Sequence, residues 1–292
     1  MCIRDRAEGV GPAAKLAAET PRQIANAHAV FNISNTLVFI GFAGPLAWLV
    51  RRLIPDRAEP VIEGSKPKFI DEALLETPAI ALDMVRRELG RLGAAVLRIT
   101  RNSLKTVIHG SRIELEELRA ADAEVDGLHA AIIEFLGKLS QANLDEGQSD
   151  QLHRYLSAAN YFENIGDMVE TSLVDAGRQR CDANLQISKV TEDMLEEFHR
   201  VICDGVDRAI RSLVDNDPAI AAEVTGAKPE VEALAQHAEG HLSRRLVAGE
   251  PNRLIAFRLE SEIIEYLKRM FYFAKRIAKL VGAEGAGGAG GR

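Results

Sequence analysis

The stretch 160–170, NYFENIGDMVE, decides how the rest of the chain is read. Glu163, Asp167 and Glu170 fall at i, i+4 and i+7, which lines three carboxylates along one side of a helix. Like charges at that spacing are mildly destabilising, so the pattern needs a compensating reason. On a wheel of about 100° per residue, the apolar stripe of this helix runs through Leu152, Leu156, Ala159, Phe162, Val169 and Leu173. Glu163 and Glu170 lie inside that arc and Asp167 at its rim, so these carboxylates face a core rather than water.

The same geometry recurs upstream. Around 113–140 the stripe Leu118, Val125, Leu128, Ile132 and Leu136 is accompanied by Asp122, Asp126 and His129, again at i, i+4 and i+7. Glu88 occupies an arc with Ala81, Leu92, Val96 and Ile99. Acidic groups on three facing stripes repel one another and are costly to desolvate unless a cation is shared. The candidate metal ligands are therefore Glu163, Asp167, Glu88, Asp122 and Asp126, with Glu170 and His129 as further candidates. Carboxylates and one imidazole on packed helices suit iron, manganese or zinc, or magnesium with water completing its shell. The competing reading is a set of side chains that snorkel to solvent at the bundle edge.

Composition agrees with a helical chain. The 292 residues are 47% hydrophobic but only 5% aromatic, with a formal net charge of -7. That balance favours helices over a β-sandwich and gives no global attraction to nucleic acid. Cys2, Cys181 and Cys203 are widely spaced and form no CxxC, as expected of reduced thiols.

Six helices are expected, at about 78–107, 113–140, 148–178, 188–214, 229–247 and 252–282. The first three overlay the last three: DMVRREL at 83 on DMLEEFH at 193, AEVDGL at 123 on PEVEAL at 229, and YFENIGD at 161 on YLKRMFY at 266. The fold class is thus all-α, a pair of three-helix bundles spanning 78–282 with repeats at 78–178 and 188–282. In the overlay Glu88 becomes Phe198, Asp122 becomes Lys228, Glu163 becomes Lys268 and Asp167 becomes Tyr272, so the second repeat loses these candidate ligands together. Residues 283–292 read as a flexible tail. His237 and His241 form an HxxxH pair at the rim of a stripe. Lys268, Arg269, Lys275, Arg276 and Lys279 gather on one face of the last helix, a solvated face or one that meets lipid headgroups or an acidic partner.

From Ala29 to Val50 there are 22 residues without an ionisable side chain, enough for one transmembrane helix. Trp48 sits at its end, and Arg51, Arg52 and Arg57 follow, which places residues 51–292 in the cytoplasm by the positive-inside tendency. Asn32 and Asn35 give the span a polar face suited to neighbouring spans. Residues 51–77, with Pro55, Pro60 and Pro67, read as a linker. Residues 1–28 carry no signal-peptide pattern and read as a remnant of a membrane domain or a non-native start.

ANYFENIGDMVE, with ADAEVDGL before it and the doubled three-helix pattern, resembles PhoU domains, whose acidic ExxxD motifs are associated with metal clusters. The segment RQIANAHAVFN at 22–32 and the apolar run after it resemble the end of the membrane part of bacterial sodium/phosphate cotransporter family proteins, which carry a PhoU-like domain at the cytoplasmic C-terminus. By this resemblance Glu163 and Asp167 take the acidic-motif positions, whereas Lys268 and Tyr272 depart from it. The resemblance implies a non-enzymatic regulatory domain at the bacterial inner membrane. Its implied partners are the membrane, the remaining membrane repeats, phosphate and sodium, with a homo-oligomer left open and nucleic acid excluded. The chain has one span and no Gln-Ser-Ser motif, so transport would depend on segments outside it. Two alternatives stay open: a membrane-tethered stand-alone phosphate-signalling regulator, and the helical signalling bundle of a membrane sensor.

Overall fold

A computed structural model describes residues 12–53, 63–246 and 252–287, and every regular element among them is helical. The expected tail 283–292, the N-terminal 1–11 and the middle of the expected linker fall wholly or partly outside the described residues. Two units separate at Pro60 and Val61.

The first unit is one helix, α1 (Pro12–Leu53), with Pro21 and Pro45 inside it. Its apolar part, Gln23–Val50, is 28 residues long and none of it is buried within the protein. At about 1.5 Å per residue it reaches some 42 Å, more than the ~30 Å hydrocarbon core of a bilayer. Phe31, Leu37, Phe39, Ile40, Phe42 and Trp48 are all more than half exposed, a surface no helix tolerates in water without a cover.

The second unit is built from two copies of one pattern. Helix α2 (Pro78–His109), the broken pair α3 (Arg112–Ala120) and α4 (Ala123–Leu139), and α5 (Glu146–Asp167) form the first copy; α5 runs on through a π-helical segment, Met168–Leu173, into α6 (Val174–Asp182). The second copy is α7 (Lys189–Asp215), the broken pair α8 (Pro218–Gly226) and α9 (Lys228–Arg245), and α10 (Arg253–Gly287). Long helices α2, α5, α7 and α10 pack on one another at the centre, while α3–α4 and α8–α9 flank them on opposite sides. One continuous core results, with Phe162, Phe198, Leu89, Leu92, Ile132 and Ile263 fully buried.

Local chemistry explains the helix starts. Ser111 and Glu114 close a capping box at α3, and Asp145 and Gln148 close another at α5, each satisfying two otherwise orphaned amides. At α8 Asp217 accepts from the amides of Ala219 and Ile220, and Pro218 sits where its missing N–H costs nothing. Helix α7 ends at Asn216, whose φ of 51° is the left-handed stop that asparagine tolerates.

Three features differ from the expectation. The second helix is not continuous over 113–140: it breaks at Ala121–Asp122, where the Asp122 amide bonds back to the carbonyl of Arg119 at 3.2 Å. The fifth helix likewise has a partner, α8, and its break at Ala227 lies 106 residues after the first, the repeat offset itself. Part of the expected linker is ordered: Glu63–Ser65 and Glu72–Glu76 are short 3-10 turns, and the segment between them is strapped to α2. Arg91 donates to the carbonyls of Lys66 and Gly64, both at 3.0 Å.

Candidate metal centre

The break before α4 creates the site. Asp122 is the first residue turned into the new helix, yet its side chain caps nothing and points instead between α4 and the α5–α6 helix. Only 1% of its surface is exposed, and neither carboxylate oxygen has a hydrogen-bond partner. A buried unpaired carboxylate is among the costliest arrangements a fold can hold. One carboxylate oxygen from each of Asp122, Asp167 and Glu170 lies within 4.8 Å of the other two.

Two backbone features make this convergence possible. At Gly166 a Cβ would stand 2.6 Å from Asp122 Oδ1 and 3.1 Å from Val125 Cγ1, so only glycine lets α5 approach α4 this closely. The π-helical turn begins just after Asp167 and contains Glu170, and such inserts re-aim side chains at functional sites.

Electrostatics carry the mark of crowding. Burial, reinforced by Asp126, Glu170, Asp167 and Glu163, pushes the Asp122 carboxyl up to about 7. Burial, then Asp167 and Asp126, also raises Glu163, against an opposing pull from His129. His129 Nε2 lies 3.0 Å from Asn160 Oδ1, an orienting partner of the kind that fixes a metal-binding imidazole. One cation is already present at the edge: Arg119 Nε donates to Glu170 Oε1 at 3.3 Å while also pairing with Glu116.

Five of the candidates, Asp122, Asp126, Glu163, Asp167 and Glu170, thus form one electrostatic cluster, with His129 beside it. Glu88 does not join them. Its carboxylate is fully buried, but Oε2 accepts from the amides of Lys68 at 2.9 Å and Phe69 at 2.7 Å, and Oε1 pairs with Arg91. The strap over α2 consumes the acceptor capacity that a metal would need, so Glu88 is a structural anchor rather than a ligand. His237 and His241 lie on α9, outside this cluster.

The donor set fits a hard or borderline divalent cation. Oxygen ligands dominate, one of them has both oxygens orphaned in a buried pocket, and the excess negative charge is what such a cation neutralises. Gly166 and Arg119 were not among the sequence-derived candidates. The glycine inside the acidic NIGD run was the available signal, because a glycine mid-helix marks a close approach.

Residues 89–171 match the PhoU domain family, a span that contains all five clustered carboxylates and His129 and begins one residue after Glu88. Among curated relatives, proteins named "Putative inorganic phosphate export protein YjbB" match in two ranges. The Escherichia coli (strain K12) protein is 29% identical over 144 residues, 49% of this chain and 26% of that protein. The Salmonella typhimurium protein is 25% identical over 219 residues, 74% of this chain and 40% of that protein. The chain therefore spans less than half the length of these relatives. The crystal structure of PhoU from Pseudomonas aeruginosa superposes with a TM-score of 0.64 at 17% identity, covering 70% of this chain and 96% of that one. That likeness gives the fold of the second unit, an all-helical PhoU-type bundle, while the first unit is one helix long and apolar enough to cross a membrane.

Proposed function

We propose that residues 63–287 are the cytoplasmic regulatory domain of a bacterial inner-membrane protein that moves inorganic phosphate, and that the cluster around Asp122 binds a divalent or trivalent metal ion. In the fuller form of this reading transport is sodium-coupled, α1 is the last span of the membrane part, and the transport site belongs to membrane repeats packed against it. The names of the curated relatives support phosphate as the cargo. The polar residues Asn32, Asn35 and Thr36 on a largely apolar, uncovered helix support neighbouring spans. The domain acts by binding and shape change rather than by covalent chemistry.

The observation that carries the metal reading is the Asp122 carboxylate, buried with both oxygens unpartnered. A bound cation supplies the positive charge that the cluster lacks. The chain's own residues do the rest. Asp122 anchors the start of α4, Asp167 and Glu170 anchor the π-helical turn, and Gly166 holds the two backbones together. Without neutralisation these anchors repel, which loosens α4 against α5. Arg119, tied to Glu170 from α3, transmits the state of the cluster to the outer helix pair. Iron, manganese, zinc and magnesium all suit a site of this kind.

The test replaces the chromosomal coding sequence in bacterial cells by an Asp122→Asn/Asp167→Asn variant and follows labelled phosphate flux. The expected result is an altered flux at an unchanged amount of membrane-bound protein. Flux identical to wild type with the metal lost would overturn the regulatory role.

A further inference from the structure

The acidic cluster has a cation of its own chain at its edge. Arg119 lies in the last turn of α3, just before the break that frees Asp122, and the Asp122 amide donates to the Arg119 carbonyl at 3.2 Å. The residue that carries the buried carboxylate and the residue that carries the guanidinium are therefore tied through the backbone. From there the side chain reaches across to the π-helical turn, where Arg119 Nε donates to Glu170 Oε1 at 3.3 Å. Glu170 is one of the three carboxylates that converge. A guanidinium thus already bonds to a group that a metal ion would take.

Arg119 also has a second place to rest. Its Nη1 lies 3.3 Å from Glu116 Oε1, one turn back on α3. Glu116 in turn accepts from Arg178 Nη2 at 2.6 Å, and Arg178 Nη1 donates to Asp175 at 3.0 Å. Charges alternate outward from the cluster along Glu170, Arg119, Glu116, Arg178 and Asp175. The side chain of Arg119 is 46% exposed and that of Glu170 27%, so this pair is screened by solvent and easily exchanged. Asp122 is 1% exposed and neither of its oxygens receives a hydrogen bond, from Arg119 or from any other group. The tethered guanidinium therefore serves the rim of the cluster and leaves its buried carboxylate unserved, a division that a free ion does not share.

We propose that Arg119 is a built-in competitor of the metal ion: it holds Glu170 while the cluster is metal-free, moves wholly to Glu116 when the ion binds, and so sets the metal concentration to which the domain responds. The inference rests on the metal reading of the cluster and adds its regulation. Competition for one ligand weakens binding by mass action, which makes the site a reversible sensor rather than a permanent structural one. A monovalent ion brings no more charge than the guanidinium it displaces, whereas a divalent ion brings twice as much, so the arrangement favours divalent ions. The exchange is read on α3, whose last turn carries Arg119 and whose Glu116 gains its full bond.

The test is manganese affinity, measured on the full chain in non-ionic detergent by competition with a chelating dye. Arg119→Gln should tighten binding about fivefold, the scale of one partly exposed ion pair, while lowering the melting temperature of the metal-free protein. A residue with a merely structural role would lower both. Arg119→Met, which keeps the length of the stem without its charge, should tighten binding as well. Glu116→Gln removes the second resting place and should weaken binding in the wild-type background, yet have no effect beside Arg119→Gln. Unchanged or weaker binding in both Arg119 variants overturns the proposal, and so does a Glu116→Gln effect that persists without Arg119, since that would be through-space charge alone. The Asp122→Asn/Asp167→Asn variant separates the two levels: if it binds manganese as the wild type does, the metal reading itself falls and this inference with it, whereas its loss of binding beside an unaltered Arg119→Gln overturns the competitor role only.

Discussion

Asp122→Asn should stabilise the metal-free protein at alkaline pH and do little at acid pH. An unfolded Asp gives up its proton near pH 4, whereas burial and four neighbouring carboxylates hold the folded Asp122 to about 7. Between those values the folded chain keeps a proton that the unfolded chain has lost, so stability falls as pH rises and levels off above about 7. At ~1.4 kcal/mol per unit, the interval from 3.8 to about 7 sets an upper bound of about 4 kcal/mol. Partial solvation at the rim of the cluster reduces this to about 2 to 3 kcal/mol. The amide keeps the size of the carboxylate and removes the ionisation, so that amount returns in the variant. For a domain of this size about 1 kcal/mol moves Tm by roughly 2 to 4 °C, giving a rise of about 5 to 10 °C at pH 8 and little change at pH 5. Thermal melts of the full chain in detergent with chelator measure it. A variant equally shifted at both pH values, or destabilised at pH 8, would refute the claim that an ionised, unpaired Asp122 weighs on the metal-free fold.

Other substitutions separate the roles assigned above. Glu88→Ala should cost about 3 kcal/mol or more, because Arg91 and two amides lose a buried partner, while leaving metal content unchanged; chemical denaturation with elemental analysis checks both. Gly166→Ala places a methyl 2.6 Å from Asp122 Oδ1 and should reduce metal affinity as well as Tm, read by competition with a chelating dye. Lys268→Ala should leave the metal-induced rise in Tm intact, since Lys268 pairs with Glu239 and Glu265 in the other copy. In cell fractionation the full chain should sediment with membranes and need detergent for release, because Gln23–Val50 offers an uncovered apolar surface.

The elements that follow from periodicity were legible in the sequence. The stripes through Leu118, Val125 and Leu128, and through Leu152, Ala159 and Phe162, are the ones the fold buries. The convergence of Asp122 with Asp167 and Glu170 was legible because i, i+4, i+7 spacing puts carboxylates on core-facing arcs. Glu88 obeyed the same rule and misled, since a wheel records that a residue faces inward but not what meets it there. The strap at Lys66–Phe69 that meets it is a loop held by backbone amides, which leaves no periodic trace. The break at Asp122 was equally hidden: LRAADAEVD at 118–126 contains neither glycine nor proline, and the short α8 was lost beside α9. The doubling of the break at Ala121 and Ala227 becomes visible only once both helix pairs are placed.

The central claim is that Asp122, Asp167 and Glu170 hold a metal ion, and elemental analysis of the purified full chain tests it most directly. Protein purified in detergent without chelator, beside an Asp122→Asn/Asp167→Asn double variant handled identically, should carry a tightly held iron, manganese, zinc or magnesium ion that the variant lacks, because a carboxylate site loses most of its affinity with two of its charged ligands. Equal metal content in the two proteins, with both folded, would contradict the account.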